Sequence, residues 1–369
     1  MPSITMSNKP VVEPKSFLSL SDEERKEILQ TLSSRRGQNP AVLEKDVWVC
    51  WALKTLFEIP KAHPMAFKGG TSLSKVYGII ERFSEDVDIT LDYKALLPTA
   101  EPFKEGISRT QLSKLTETLR RLVSEHTHEV IFPAFVAAIK EQFGEKQYEV
   151  KIDDDGECLT IAYGPLFQAN YITDRVLVEF GGRNAITPTN PVTIEAYIAE
   201  DVSHLLFPKA AVSVLVAERT FWEKATLIHV ECNTESIDKL ERKSRHWYDV
   251  YKLSKTAVGE GAIKDKELLT DVVRHKQAFF HSSKARYEDC LKGRLRLVPA
   301  DGMLKELAQD FKKMQDSGMF HGAVPTFDSM INDLRSCEQL INKSVGAPAS
   351  SETTVVTTQI ASVSNSVGS

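Results

Sequence analysis

The sequence predicts an α+β protein: a mixed β-sheet with flanking helices, followed by an all-helical C-terminal part. Two hydrophobic periods carry this prediction. Between residues 86 and 180, several short segments alternate apolar and polar residues at every second position, as half-buried strands do. From about Val212 to Lys343 the apolar residues recur with a helical period instead. A chain of 369 residues exceeds a typical single core, so we expect more than one structural unit.

We predict four segments along the chain. They are an N-terminal arm and helical lead (1–60), a sheet-containing core (61–210), a helical domain (211–343) and a disordered tail (344–369). The tail is rich in Ser, Thr, Val, Ala and Gly, and it carries a single charge, at Glu352. It lacks the leucine and aromatic content that a buried core needs, which predicts disorder.

Composition argues against several classes of protein. The longest uninterrupted apolar stretch, Val47–Leu53, is far shorter than the roughly 20 residues of a membrane-spanning helix. The N-terminus lacks a basic start followed by an apolar core, so we expect a cytoplasmic protein. The five cysteines are scattered without C-x-x-C spacing, which argues against zinc and disulfides. Because the net charge is −5, a nucleic acid would need a local basic surface.

Two helices are predicted near the N-terminus. Ser21, followed three residues later by Glu24, has the pattern of a capping box and marks a helix start. A second helix is predicted from about Glu44 to Phe57. Its apolar residues fall near one face, namely Val47, Trp48, Trp51 and Leu56.

Four strands are predicted in the centre of the chain. Residues 86–91 alternate strictly, with one apolar face and one face that carries two aspartates. Residues 148–152 alternate as well, and turn-forming residues at 153–156 then predict a hairpin into a strand at 158–163. Residues 175–180 alternate again. These segments supply the predicted mixed sheet.

The most informative segment begins at Gly69-Gly70-Thr71-Ser72. A helix is predicted to begin at Thr71 or Ser72, because apolar residues recur with helical spacing at Leu73, Val76, Tyr77 and Ile80. Glycine lets the backbone approach a ligand closely, and the free N–H groups of a first helical turn favour an anion. We therefore predict a phosphate site formed by Gly69, Gly70 and the hydroxyl of Ser72.

Asp86 and Asp88 lie two residues apart on the first predicted strand, and therefore on one face. Two carboxylates so close repel each other unless a cation lies between them. An oxygen-only pair fits Mg²⁺, which prefers a few carboxylates together with substrate phosphate oxygens. An ordinary turn and a solvent-facing strand would explain each feature alone. The glycine pair one helix upstream favours a combined site for metal and nucleotide.

These residues also carry a family resemblance. Gly69-Gly70-Thr71-Ser72 and the later Arg82-Phe83-Ser84-Glu85-Asp86-Val87-Asp88 resemble the motif of nucleotidyltransferases of the DNA polymerase β type. The resemblance is greatest to the AbiEii/AbiGii toxin branch with its MenT-like members, and it covers residues 44–253 in separated blocks. It implies a polymerase β-type sheet and Mg²⁺-dependent transfer of NMP from NTP to an acceptor, with release of pyrophosphate.

The resemblance further implies two metal-binding aspartates, here Asp86 and Asp88, and a third acid on a neighbouring strand. We choose Glu179 as that acid, because a carboxylate in the middle of an otherwise apolar strand needs a partner. Asp174, just before the strand, is the weaker candidate. An ion pair at a sheet edge would explain Glu179 equally well.

In the helical half, the family shows one helix with a lysine and a later helix with an Arg-Asp-x-x-Asp pattern. Lys224 fits the first and Asp249 the second, whereas Arg245-His246 departs from the family's Arg-Asp. Lys224 is able to neutralise phosphate charge, and it is equally able to pair with Asp249 and join the two helices. Both roles are compatible, because an ion pair that lines a pocket can also orient a phosphate.

Other polar residues flank the motif. Lys68 and Lys75 lie on either side of the glycine pair, and Arg82 and Ser84 precede the acidic strand. Lys68, Arg82 and Ser84 are predicted to contact the nucleotide. The competing explanation for each is a solvated surface charge or a residue that caps a turn.

The predicted partners are an NTP, an acceptor and an antitoxin. For MenT-like relatives, the implied acceptor is the 3′ end of tRNA, and the implied setting is an AbiE-like type IV toxin–antitoxin or phage-defence system. A basic stretch at 239–246, with Lys292, Arg294 and Arg296, predicts a contact for the RNA backbone, or else solvated helix faces. Two alternatives stay open: transfer to protein hydroxyls, and a non-catalytic nucleotide-binding regulatory module.

Overall fold

The computed structural model describes residues 14–144, 148–168, 172–234 and 240–346. Within these residues the chain forms a seven-stranded mixed sheet, a two-stranded parallel sheet, and helices that precede, interrupt and follow the strands. The predicted α+β class is therefore confirmed.

The strands of the large sheet bring two acidic segments together. In chain order the strands are β1 (Lys15–Ser16), β2 (Met65–Lys68), β3 (Asp86–Leu91), β4 (Glu149–Ile152), β5 (Cys158–Ala162), β6 (Arg175–Gly181), β7 (Thr189–Ile194), β8 (Leu205–Leu206) and β9 (Ala210–Leu215). β1 pairs with β8, and the others follow the order β4-β5-β6-β3-β2-β9-β7. β3 pairs with β6 in parallel, as β2 does with β9, and the remaining pairs of this sheet are antiparallel. All four predicted strands are confirmed.

The helices form most of the C-terminal half. They are α1 (Asp22–Arg36), α2 (Pro40–Phe57), α3 (Gly69–Lys75), α4 (Tyr93–Leu96), α5 (Arg109–His126), α6 (Phe132–Phe143), α7 (Ala217–Thr234), α8 (Ser244–Ser254), α9 (Ala257–Lys264), α10 (Lys266–Phe279), α11 (Tyr287–Cys290), α12 (Asp301–Asp316) and α13 (Phe327–Gly346). The predicted start of α1 is confirmed, because Ser21 and Glu24 form the reciprocal hydrogen bonds of a capping box.

The prediction for α2 was wrong on two counts. The helix begins at Pro40, after an Asn39 side chain that accepts from the amide of Ala41, so it starts four residues earlier than predicted. It is also buried on all sides rather than on one face, because α1, α6 and the sheet strands β6 and β9 pack around it. Glu44, Lys45 and Asp46 of this helix lie inside the fold with partners, which a one-sided apolar pattern does not reveal.

The boundary between sheet and helices also differs from the prediction. Residues from Val212 onwards were predicted to be helical, but β9 continues to Leu215 and the first C-terminal helix begins at Ala217. Val212 and Val214 alternate with exposed or half-buried neighbours and point into the core of the sheet. The predicted division at residues 210 and 211 therefore cuts through a strand.

The molecule has two hydrophobic cores. One lies between the large sheet and helices α1, α2, α5 and α6. The other joins helices α7 to α13, and it also includes Leu73 of α3 and Ile80 of the following loop. α3 and the loop after it thus pack against the second core, whereas β3, which follows them, belongs to the large sheet.

The C-terminal helix is longer than predicted. α13 extends to Gly346, so the first three residues of the predicted disordered tail are helical. Val345 packs against the second core, which explains why the helix continues past Lys343. The rest of the predicted tail, residues 347–369, lies outside the described residues.

Candidate active site

A cleft of about 220 Å³ opens where β2, β3 and β6 meet α3, α7, α8 and α10. Nine predicted site residues line it, namely Lys68, Gly69, Gly70, Arg82, Ser84, Asp86, Asp88, Glu179 and Lys224. A larger cavity, of about 690 Å³, lies near α2, α6 and β8 and contains none of them. The smaller cleft is therefore the candidate site.

Three carboxylates form one wall of the cleft. Alternation along β3 buries Val87 and leaves Asp86 and Asp88 on the cleft side. In the parallel pairing of β3 with β6, Asp88 lies directly opposite Glu179, so the two side chains point the same way. The sheet thus brings together the three acids chosen from the sequence. The weaker candidate, Asp174, is exposed and does not line the cleft.

These acids are held in an unfavourable electrostatic environment. Desolvation in the cleft and the charges of Asp88 and Asp86 raise the pKa of Glu179 to about 7. Desolvation, together with the charge of Glu85, also raises the pKa of Asp86. The guanidinium of Arg245, 3.4 Å from Asp86 Oδ2, opposes this shift. The acidic wall therefore has more negative charge than its neighbours balance.

The glycine pair allows the backbone to approach this wall. Gly69 has a φ of +79°, and a Cβ there would lie 1.9 Å from Asp88 Oδ2. A Cβ on Gly70 would lie 2.6 Å from the hydroxyl of Ser84. Both glycines belong to α3, which begins at Gly69 and not at Thr71 or Ser72 as predicted. A side chain at either glycine would therefore clash with Asp88 or Ser84, both of which line the cleft.

Ser72 does not occupy the predicted position. Its side chain is fully buried and its hydroxyl donates to the carbonyl of Gly69 at 2.9 Å. It does not line the cleft, so the predicted role as a phosphate donor does not fit this geometry. The hydroxyl instead holds the first turn of α3 together.

Asp249 lies behind the cleft at the centre of an ion-paired cluster. It accepts two hydrogen bonds from Arg82, at 2.8 and 2.7 Å, and Lys224 Nζ lies 3.0 Å from the same carboxylate. Burial opposes ionisation, yet Arg82 and Lys224 together hold the pKa of Asp249 well below its usual range. The predicted pairing of Lys224 with Asp249 is therefore present. Arg82, which is only 2% exposed, is not the solvated charge that its position suggested.

Two other lysines near the motif have acidic partners. Lys68 Nζ lies 3.4 Å from the carboxylate of Glu223 on α7. Lys75 is buried, pairs with Asp46 and stacks over the ring of Tyr197, so it is neither a solvated charge nor a cleft residue. Of the two lysines that flank the glycines, only Lys68 reaches the cleft.

Six residues of the cleft were not predicted as site residues. They are Thr220, Glu223, Leu227, Arg245, His246 and Lys276. Thr220 and Leu227 follow from helical spacing, because they lie four residues before and three residues after Lys224 on α7. His246 is half-buried, and its inaccessible Nδ1 has no hydrogen-bond partner among the described residues. Desolvation, aided by Lys224 and Arg245, lowers its pKa well below the usual value. Lys276 lies on α10, and no sequence pattern linked it to the motif.

Ion pairs neutralise much of the predicted basic surface. Arg242 pairs with Glu85, Lys243 with Glu231, and Arg294 with Asp289. Lys239 lies outside the described residues. Fewer positive charges of this stretch than expected are thus free to attract an RNA backbone.

The search for a membrane span gave a negative result within the described part of the chain. No helix there combines the length and the apolar character needed to cross a bilayer.

Comparisons with known proteins bear on the whole cleft. A family model described as "Nucleotidyl transferase AbiEii toxin, Type IV TA system" matches residues 51–333, a range that contains every cleft residue. Among solved structures, MenT4, a nucleotidyltransferase toxin from Mycobacterium tuberculosis H37Rv, is similar with a TM-score of 0.44 and 16% identity. That match covers 88% of this chain and 98% of that chain. A search of curated proteins returned no significant match.

Proposed function

The chain belongs to the AbiEii family of nucleotidyltransferase toxins of type IV toxin–antitoxin systems, and we propose that its cleft transfers an NMP unit from an NTP to the 3′ end of tRNA. The acceptor oxygen bonds to the α-phosphorus, the bond to the β-phosphate breaks, and pyrophosphate leaves. The observation that carries the proposal is the wall of Asp86, Asp88 and Glu179, which lines a cleft that also contains lysine side chains.

The acidic wall fits a magnesium ion. Among the residues that the structure describes, no group of three or more His, Cys, Asp or Glu forms a ready-made metal cluster. Mg²⁺ rarely uses such a cage, because it prefers one or two carboxylates plus substrate phosphate oxygens. The raised pKa of Glu179 fits a position where a cation replaces a proton. Asp86, Asp88 and Glu179 would hold the ion, which supplies charge stabilisation for the entering and leaving oxygens.

The other side chains have separate roles in the proposal. Gly69 and Gly70 keep the floor of the cleft free of side chains, so a nucleotide reaches the acidic wall. Lys224 faces the cleft while it pairs with Asp249, and it offers its remaining hydrogens to phosphate oxygens. Arg82 acts through Asp249, whose ionised form it stabilises. Ser84 offers a hydroxyl at the edge of the cleft.

The proposed partners are an acceptor RNA and a cognate antitoxin. Family membership supports a cognate antitoxin, because type IV systems pair a toxin with one. The resemblance to MenT-like toxins supports tRNA as the acceptor, and blocking its 3′ end would stop aminoacylation and arrest growth. Arg245 lies at the cleft beside Asp86, where an acceptor strand approaches the metal site.

A labelling experiment tests the proposed function. Purified protein is incubated with each α-labelled NTP, Mg²⁺, and either total RNA or total protein, with the Asp88→Asn variant as the inactive control. We expect label on small RNA at its 3′ end with the wild-type protein and none with Asp88→Asn. Label on protein would instead identify protein hydroxyls as the acceptor. Absence of label with every NTP and both acceptors would leave a nucleotide-binding module without transfer.

A further inference from the structure

Lys276 is a cleft residue that stands apart from the sequence motif. It lies near the C-terminal end of α10, about fifty residues after Lys224, and it closes the side of the cleft formed by Lys68 and Glu223. Lys276 and Lys68 thus place two lysine side chains in the cleft that contains the acidic wall.

The ammonium of Lys276 lacks the acidic partner that the other cleft cations have. Arg82 and Lys224 pair with Asp249, Lys68 with Glu223, and Arg245 with Asp86. Within the described residues, the ammonium of Lys276 makes no hydrogen bond and no ion pair, and it lies 4.6 Å from the centre of the Phe280 ring. A half-buried ammonium without an ion-pair partner is costly, so this position is one that an anion would stabilise.

The charges around Lys276 point the same way. Burial lowers the pKa of Lys276 to about 8, Glu223 opposes that shift, and Lys68, Arg219 and Arg183 reinforce it. Glu223 is already engaged by Lys68 and by Arg219, whose Nε lies 3.6 Å away. Three cations therefore act on an ammonium whose favourable acid, Glu223, is shared. The net charge at this end of the cleft is positive, in contrast to the negative wall of Asp86, Asp88 and Glu179.

We propose that Lys276 binds the β- and γ-phosphates of the NTP and retains the pyrophosphate as it leaves. This inference rests on the proposed nucleotidyl transfer. As the acceptor oxygen bonds to the α-phosphorus, the electron pair of the broken bond stays on pyrophosphate and the acceptor hydroxyl proton passes to water. The added negative charge develops on the phosphate side, where Lys276 neutralises it. Opposite charges at the two ends of the cleft thus fix the direction in which the triphosphate lies.

Calorimetric titration with inorganic pyrophosphate, without any acceptor, tests the proposal. We expect Lys276→Met to weaken binding about ten- to a hundredfold, because one charge-assisted contact is lost. Lys276→Arg keeps the charge and should bind within about threefold of the wild type. Lys266→Met is the matched control: it removes the same charge from an exposed position about 15 Å away along α10, and should leave affinity within about twofold.

Melting temperature separates anion binding from a structural role. Lys276→Met should melt at the same temperature as the wild type or higher, because it removes a half-buried charge that has no ion-pair partner among the described residues. A lower melting temperature together with unchanged pyrophosphate affinity would overturn the proposal. So would equal weakening by Lys276→Met and Lys266→Met, or wild-type protein that binds no pyrophosphate.

The outcomes also separate this inference from the proposed function. If the protein transfers nucleotide but substitution of Lys276 leaves its pyrophosphate affinity unchanged, the inference about Lys276 is overturned and the proposed function is not. Lys276-dependent pyrophosphate binding in a protein that labels neither RNA nor protein would support the anion site and overturn the proposed transfer.

Discussion

Two charged clusters lie side by side in this protein, and their charge balances are opposite. Around Asp249, one buried carboxylate has two cationic partners, Arg82 and Lys224, and its pKa falls. Around Glu179, three carboxylates share one arginine at 3.4 Å, and the pKa of Glu179 rises. The cluster around Asp249 is complete, because its carboxylate has cationic partners within the chain. The cluster around Glu179 is incomplete, because its negative charges outnumber their cationic partners.

The difference separates a structural role from a functional one. A complete buried cluster costs stability when one member is removed, since a charge is left without its partner. An incomplete cluster of like charges costs stability while it is intact, so its removal relieves repulsion and affects only what binds there. The predictions below test this contrast.

The largest expected effect is on catalysis in the incomplete cluster. Asp88→Asn should lower the transfer rate by at least about a thousandfold, because it removes a carboxylate of the proposed metal site while the shape is preserved. Its melting temperature should equal or exceed that of the wild type. Asp154→Asn, at an exposed position in the β4–β5 turn, serves as the control with unchanged rate. A near wild-type rate for Asp88→Asn would remove this aspartate from the metal site.

The complete cluster should show the reverse pattern. Asp249→Asn leaves the guanidinium of Arg82 buried without a counter-ion, so the free energy of unfolding should fall by about 3–5 kcal/mol. Urea unfolding measures the loss. Asp316→Asn, which breaks an exposed pair with Lys312, should change it by less than about 0.5 kcal/mol. Equal small losses in both variants would contradict the contrast drawn here.

Lys224 belongs to the complete cluster and also faces the cleft, so its substitution measures both roles. Lys224→Met keeps most of the aliphatic volume and deletes the charge. If Lys224 contacts phosphates, NTP affinity or transfer rate should fall about ten- to a hundredfold, the equivalent of roughly 1.5–3 kcal/mol. Arg82 still pairs with Asp249, so the stability loss should be smaller than for Asp249→Asn. Full transfer activity in a destabilised Lys224→Met protein would leave it a purely structural role.

The smallest effect expected is a dependence of stability on pH from Glu179. Its folded pKa of about 7 exceeds the usual value of 4.5, so its contribution to stability is complete below about pH 4.5 and is lost as pH rises through 7. Between pH 6 and 8 the wild type should therefore lose stability that Glu179→Gln retains. Because the side chain is exposed to the cleft, the difference should be only about 1 kcal/mol.

Thermal melts at pH 6 and pH 8 provide the measurement. Addition of Mg²⁺ should reduce the loss at pH 8 in the wild type and have little effect on Glu179→Gln. Parallel pH profiles of the two proteins would show that Glu179 is not repelled by its neighbours.

Local patterns were enough to place the acids. Two aspartates separated by one residue on a strand share a face whatever surrounds the strand, and alternation at 86–91 and 175–180 identified β3 and β6. The capping box at Ser21 was equally local. Helical spacing from Lys224 would also have identified Thr220 and Leu227 as its neighbours in the cleft.

The failures lie where burial on more than one side overrides the local pattern. Glu44, Lys45 and Asp46 resemble the solvent side of a helix, yet each is buried and bonded to a residue distant in the chain. β2 is buried along most of its four residues, and β7 contains Pro191, so neither shows the alternation that identified the other strands.

The sequence by itself identified the candidate site residues along each element: the glycine pair, the two aspartates, Glu179, and the lysine and acid of the helical half. The tertiary structure decided which charges meet. Arg82 and Asp249 are 167 residues apart and form a bidentate pair, Ser72 turned inward to Gly69, and Lys276 reached the cleft from a helix without a motif. The spacing of residues in the sequence identifies only neighbours along one helix or strand. The charge balance of a site depends on packing between elements that are distant in the chain.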